Sequence, residues 1–434
     1  MKLPALLLAL ALTAHAQYIE DFIPVPVEPR LLCWEPVHEM VYCACQHDGK
    51  VAVINGADNR LETTLTVGAG PAAFLLDTAG GRLFVVNRGG ASLSVIDIAG
   101  RVVSRTTPVR AEPTAVARNT AERRLYVTSR AEDRLVVLDD SSYAELAVLP
   151  VDANPSGVFW NPLNNRVFVV CEGSGTVQVY NGRNHGLEGI VRVGALPANW
   201  WWDATDNRLW VVNNGTDNLT VIDCAGLSVV ATLPLGGGPT ELAYHSGTRQ
   251  LYVSNSTSGT ISRIDVGAVA VAATIPVGYR PGAMTLDSAN NRLWVCIEGA
   301  NQVKVLSCLN DSILADFDPG SLPVALAWNP VHKRVYVANF FGNTVTVIKE
   351  VTGLAEIPGP LPGAWPAGTL ILRRGRPLRL ADEEADRLSL HDAAGRRLAR
   401  LHPGANDLGR LAPGVHFIRS EHPGRPPTRL IITE

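Results

Sequence analysis

A proline recurs through this chain at an unvarying interval. Pro29, Pro71, Pro113, Pro155, Pro197, Pro239, Pro281 and Pro323 lie 42 residues apart, with no insertion or deletion between copies. Thirteen residues after each proline stands an aromatic residue: Tyr42, Phe84, Tyr126, Phe168, Trp210, Tyr252, Trp294 and Tyr336. The next position is Cys43 in the first copy and valine in the other seven. Short runs of β-branched and aromatic residues bounded by Gly, Asn and Asp read as strands. Apolar residues on both faces of a strand mean that both faces are covered. No window keeps a helical period. Repeats of this length, built from four short strands, predict an all-β, eight-bladed propeller of four-stranded antiparallel blades.

The two ends of the repeat region complement each other. Ile23-Pro24-Val25 precedes Pro29 by the offsets at which Ile275-Pro276-Val277 precedes Pro281, so 18–27 reads as a fourth strand lacking its first three. The last copy has three strands, ending at Val345-Thr346-Val347-Ile348, and no fourth. Residues 353–363 are rich in Gly and Pro, and Pro cannot sit inside a ladder. The N-terminal strand is therefore expected to complete the last blade, closing the ring and removing its exposed edges.

The remaining segments differ in kind. Residues 1–16 read as a secretory signal, with Lys2, the apolar run Leu3 to Leu12, and Ala14-His15-Ala16 before Gln17. That run is too short to span a bilayer, and no membrane span is expected. The propeller is assigned to 17–349 and a Gly/Pro-rich linker to 350–366. Residues 367–434 hold twelve Arg, no Lys and eight Asp or Glu, a formal +4 in a chain of net charge −3. Five strand candidates there (369–372, 388–391, 397–400, 415–418 and 430–432) predict a small β-sandwich. The modest overall charge argues against nucleic acid or an anionic membrane as partner.

Leu251-Tyr252-Val253-Ser254-Asn255, Val335-Tyr336-Val337-Ala338-Asn339 and Thr344-Val345-Thr346-Val347-Ile348 resemble the YVTN-type β-propeller repeats, relatives of the NHL and lactonase-like propellers. The resemblance covers 18–349. It implies the fold and, because its motif consists of strand and turn residues, says little about chemistry. Leu388-Ser389-Leu390-His391-Asp392, Leu411-Ala412-Pro413-Gly414-Val415-His416-Phe417-Ile418 and Leu430-Ile431-Ile432 resemble the C-terminal sorting domains of type IX secretion cargo. That implies export past the outer membrane, with secretion machinery as a partner of the tail.

A four-stranded meander places its a–b and c–d turns on one face of the disc and its b–c and d–a loops on the other. On the first face a column of arginines (Arg82, Arg124, Arg166, Arg208, Arg292, Arg334) offers a ring for an anionic partner, but is expected to lay its stems over neighbouring strands with the heads in water. The opposite face carries loops that vary over constant strands, which is where recognition lives. Phe340, Phe341, Tyr279 and Arg280 are the candidate ligand contacts, since aromatic and Arg residues dominate hot spots. Arg88, Arg130, Glu172 and Glu298 complete the set, and Asp152 is a further carboxylate there.

Four other constellations need a bland alternative. Cys43-Ala44-Cys45-Gln46-His47 spreads too far along a strand, ~13 Å from Cys43 to His47, to ligate one ion. His38 and His332 become neighbours on closure but lack an evident third ligand. Trp200-Trp201-Trp202 offers either a stacking platform at the channel or plain packing. Seven cysteines leave at least one thiol unpaired, and Cys33 beside Cys43 and Cys45 permits one bridge. No P-loop, nucleophile elbow or dinucleotide loop is present, and no cofactor or metal is called for. The expectation is an exported, non-enzymatic propeller that binds an extracellular protein or glycan through its loop face. The alternatives are a propeller enzyme of lyase, lactonase or oxidoreductase type with its site at the channel mouth, and a structural surface component.

Overall fold

The computed structural model describes residues 16–351 and, beyond them, strand segments between 369 and 433. Most of the leader and the Gly/Pro-rich stretch from 352 lie outside the described residues. Eight four-stranded sheets follow one another through 16–351. In blade 6 the strands a to d are Pro239–His245, Gln250–Asn255, Thr260–Asp265 and Ala270–Pro276. The eighth sheet is ordered Ala16–Pro24, Thr344–Val351, Arg334–Asn339, Pro323–Asn329, so the N-terminal strand supplies its outer member as expected. Val25 N–H donates to the Asn343 carbonyl at 3.1 Å, and Glu28 N–H to Asn343 Oδ1 at 3.0 Å. The a strands of neighbouring blades pack side by side around the axis, first against last included.

The core lies between blades rather than within any one of them. All eight aromatics of the column are at most 1% exposed. Tyr126, for example, packs with Val158, Val167 and Val169 of the next blade. At the seam Ile23, Val345 and Val347 meet Val41, Cys43 and Ile54 of blade 1. At ~25 cal/mol per Å² of apolar surface, each such interface stabilises the ring by several kcal/mol, and no blade could hold alone.

Each turn places at least one residue at positive φ, and the d–a loop does so just before the proline of strand a. Glu28, Gly70, Glu112, Asn154, Leu196, Gly238, Arg280 and Leu322 occupy that position, with φ between 48° and 67°. The carbonyl of each accepts the first N–H of its own blade's b–c loop, as in Glu298 N–H to Arg280 O at 2.9 Å. This repeated bond sets the two loop types side by side on one face.

Residues 19–348 form one compact unit, and the described residues from 349 onward belong to a second. In the second, Thr369–Arg373, Leu388–Asp392, Arg397–Arg400, Gly414–Ser420 and Thr428–Thr433 match the five strand candidates and form one sheet. Its first strand runs parallel to its last. Two short strands absent from the sequence reading, Leu378–Leu380 and Gly404–Asn406, pair separately.

Candidate functional site at the loop-face mouth

The loop-face candidates resolve into two groups. In blades 2 to 4 the charges pair among themselves: Arg88 with Glu112 at 2.9 Å and Arg130 with Glu172 at 2.6 Å. A cleft of about 470 Å³ lies there, lined by Gln46, Arg88, Ala91 and Glu112 among others, but its charged groups are already matched. Asp152 accepts from the Thr176 hydroxyl at 2.7 Å and takes no part in a carboxylate cluster. In blades 7 and 8 the remaining candidates stand on the loops, and one of them, Arg280, grips a carboxylate, Glu298. Arg280 Nη2 meets Glu298 Oε2 at 3.1 Å while its backbone carbonyl holds the Glu298 N–H, a double grip. Tyr279 lies over Gly299 and is 66% exposed. Phe341 is 68% exposed and meets Phe340 edge-on at 5.2 Å.

Glu241, which the sequence reading missed, joins Glu298. It is the third residue of strand a in blade 6, and its Oε2 accepts from Asn199 Nδ2 at 2.9 Å. Asn199 is the third residue of strand a in blade 5, and its Oδ1 accepts the Trp200 N–H at 2.8 Å, which fixes the amide with its donor toward Glu241. Glu298 starts the short 3₁₀ turn Glu298–Ala300 and lies over Gly282, near the start of strand a in blade 7. A Cβ on Gly282 would sit 2.5 Å from Glu298 Oε1, so glycine is what admits the carboxylate to the mouth.

This enclosure changes the acid–base character of the pair. Burial first, then the Glu298 charge, push the Glu241 carboxyl up to about 7, against a small opposing effect of the Asn199 bond. Glu298 is also raised by burial, with Arg280 and Arg30 pulling the other way. The repulsion between the two carboxyls bears on Glu241, whereas Glu298 has two guanidinium groups to offset its own burial. Cys296, fully buried beside both, is pushed well above the usual thiol range and stays neutral. Near neutral pH, then, Glu241 titrates beside a second carboxyl at the mouth, and can both donate and accept a proton.

The other constellations serve the scaffold. The arginine column differs from expectation: several heads are not left in water but reach the next blade's c–d turn. Arg124 Nη1 donates to the Gly182 and Arg183 carbonyls, Arg166 Nη1 to Cys224 and Ala225, and Arg334 Nη1 to Gly56 and Ala57, at 2.6–3.0 Å. Those turns expose unpaired carbonyls that a guanidinium can satisfy in pairs. Trp200 stacks on Phe159 (4.8 Å) and Trp201 on Tyr244 (4.0 Å), so the tryptophans fill inter-blade space instead of forming a platform. His38 meets Glu35 at 3.2 Å and His332 meets Glu39 at 2.8 Å, separate carboxylates. All seven cysteines are free; Cys33 opposes Tyr42 across the ladder, so the possible bridge to Cys43 or Cys45 does not form. Met40–Cys45 is an unbroken strand, and among the described residues no three His, Cys, Asp or Glu side chains cluster to hold an ion.

With this geometry in hand, the family model described as a lactonase, 7-bladed beta-propeller, matches residues 13–307. The chain belongs to this lactonase propeller family. The matched region ends at the third strand of blade 7, Gln302–Ser307, so this member carries an eighth blade beyond the family's seven. Comparison with curated proteins gives no match. Among solved structures, Saccharomyces cerevisiae Sqt1 is 12% identical at a TM-score of 0.67, covering 78% of this chain and 100% of its own. Dihydro-heme d1 dehydrogenase NirN, in complex with DHE, is 15% identical at 0.64, covering 78% and 77%. Hydrazine synthase from Kuenenia stuttgartiensis is 20% identical at 0.51, covering 70% and 99%. At these identities the likeness concerns the propeller fold alone.

Proposed function

We propose that this lactonase-family propeller is an exported recognition module that binds its ligand on the loop face, at the mouth formed by blades 5 to 8 and blade 1. One observation carries the reading: Asn199, Glu241, Glu298 and Arg280, from three successive blades, come together around a part-buried carboxyl pair. The loops of blades 7 and 8 add the exposed rings of Tyr279 and Phe341. Glycan-array and pull-down binding by the purified chain should be lost in Phe340→Ala plus Arg280→Ala. Unchanged binding would remove this mouth from the site. The signal-like residues 1–16 and the sorting-like tail support export; fractionation of the producing cells tests it.

A second reading, catalysis at the same mouth, draws on Glu241. A carboxyl that titrates near neutrality is suited to general acid–base work. The family description points the same way. Lactone hydrolysis followed by pH-stat decides it: turnover lost in Glu241→Gln supports the enzyme, and none in the parent chain removes it.

A further inference from the structure

The net charge of −3 hides an uneven distribution, because residues 367–434 hold twelve arginines and no lysine. The five-stranded sheet there takes Arg373, Arg397, Arg400, Arg419 and Arg429, with Asp392 as its one carboxylate. Register decides how these residues are shared between the two faces, since paired residues lie on one face and faces alternate along a strand. One row crosses the sheet as Arg397, His391, Phe417, Arg429 and Thr369. Two residues along, and so on the same face, the next row is Arg400, Ser389 and Arg419. Arg373, four residues beyond Thr369 in its strand, shares that face too. The opposite face takes Asp392 together with Leu370, Leu390, Ile418 and Leu430. Arg397 and Arg400 are exposed and Leu390 is fully buried, so the arginine face is the one in water.

We infer that this face binds an acidic polysaccharide. All five arginine positions of the sheet share it, and no Asp or Glu position of the five strands does. On the propeller's loop face, by contrast, Arg88 and Arg130 come with Glu112 and Glu172. Strand spacing sets Arg400 and Arg419 about 10 Å apart at the backbone and Arg397 and Arg429 about 14 Å apart, in rows about 7 Å from each other. A small anion meets part of that array, whereas a chain with a charge on successive units engages all of it. Like charges about 10 Å apart, one Debye length, repel, and a polyanion relieves the repulsion while shedding its own counterions.

Arginine without lysine points to oxyanions, which the planar guanidinium meets with two parallel hydrogen bonds. Ring-bearing residues, His391 and Phe417, hold the middle positions between the basic ends of their row, as suits the C–H face of a sugar. A glycan also fits the charge of the whole chain better than a nucleic acid does. Duplex DNA carries a charge about every 1.7 Å, and a chain of net charge −3 is repelled by so dense a field. This surface stands apart from the loop face, and neither depends on the other.

Biolayer interferometry of the full chain over immobilised polygalacturonate, dextran sulfate and neutral dextran tests this. Binding to an acidic polymer and not to neutral dextran is expected, weakening about tenfold or more between about 50 and 200 mM NaCl. Arg397→Gln plus Arg400→Gln, and separately Arg419→Gln plus Arg429→Gln, should each lose about tenfold in affinity. Arg410→Gln plus Arg425→Gln removes the same charge from outside the five strands and should change affinity by less than about twofold. Thermal melts accompany each variant, and where one face pair lowers Tm the other decides. Preference for polygalacturonate marks carboxylates as the target and preference for dextran sulfate marks sulfate or phosphate esters; either upholds the proposal. Binding to neither, an equal loss in the Arg410 and Arg425 pair, or tighter binding to single-stranded oligo-dT than to both glycans overturns it.

Discussion

At the scale of single residues, one irregular column carries the site. The third position of strand a is Leu31, Ala73, Ala115, Gly157, Asn199, Glu241, Ala283 and Ala325. Six are apolar or small, and the two polar exceptions stand in successive copies. That adjacency is legible in the sequence, as two polar residues in an otherwise apolar or small strand column. What no column reports is the reach of Glu298 across Gly282, which depends on a 3₁₀ turn outside the repeat pattern. Two predictions belong here. Ionising Glu241 opposes folding, because its folded midpoint, about 7, lies above the ordinary 4.5. The parent's stability should therefore decline as pH rises from about 4.5 to 7, then level off. Glu241→Gln should remove this decline and gain about 2 kcal/mol at pH 8, the full shift being discounted for channel water. Thermal melts across that range check it; a parallel decline in the variant would contradict it. The second concerns Gly282→Ala, whose Cβ displaces Glu298. The Glu241 midpoint, read by NMR titration, should move down toward the usual carboxylate range as its repelling partner leaves, with Tm changed by little.

At the scale of the elements, the repeat made strands and turns legible to within a residue or two, because spacing and β-branched columns directly report the pleat. Inter-blade bonding was less legible. The arginine column is visible, but its partners are main-chain carbonyls of the next copy, which leave no mark in side-chain identity. Arg334 bonds two of them and pairs with Glu20, whereas Arg208 pairs with Asp206 at 4.0 Å. Arg334→Ala should thus destabilise by about 2 kcal/mol, because the Ala57 carbonyl loses its guanidinium and Glu20 its counter-charge, while Gly56 keeps Asn329 and Tyr336. Arg208→Ala should cost under about 0.5 kcal/mol. Urea midpoints of the two variants separate these outcomes, and equal losses would mean that the column acts only as covered surface.

At the scale of the whole molecule, seven blades are continuous chain and one is sewn from both ends. The sewn blade is the place where breaking a buried contact should change assembly as well as stability. Ile23 and Ile275 occupy the same outer-strand position, 4% and 5% exposed. An aspartate at either site is buried without a partner, and each substitution should cost about 3 kcal/mol. Their consequences differ because of connectivity. In blade 6 the outer strand remains tethered on both sides, between Asp265 and Pro281, so the sheet stays closed to other chains. In blade 8 the outer strand returns across more than 300 residues, as the Glu20 to Arg334 bond shows. Its tether to the ring is the short link 25–28 to Pro29, so once loosened it can swing off the blade while the other seven sheets stay intact. Thr344–Val351 is then a bare edge and a template for another copy. Light scattering should find Ile23→Asp associating with rising concentration and Ile275→Asp monomeric at matched stability. If both associate, or neither, the N-terminal strand is no more detachable than any other, and the ring's weakest point lies elsewhere.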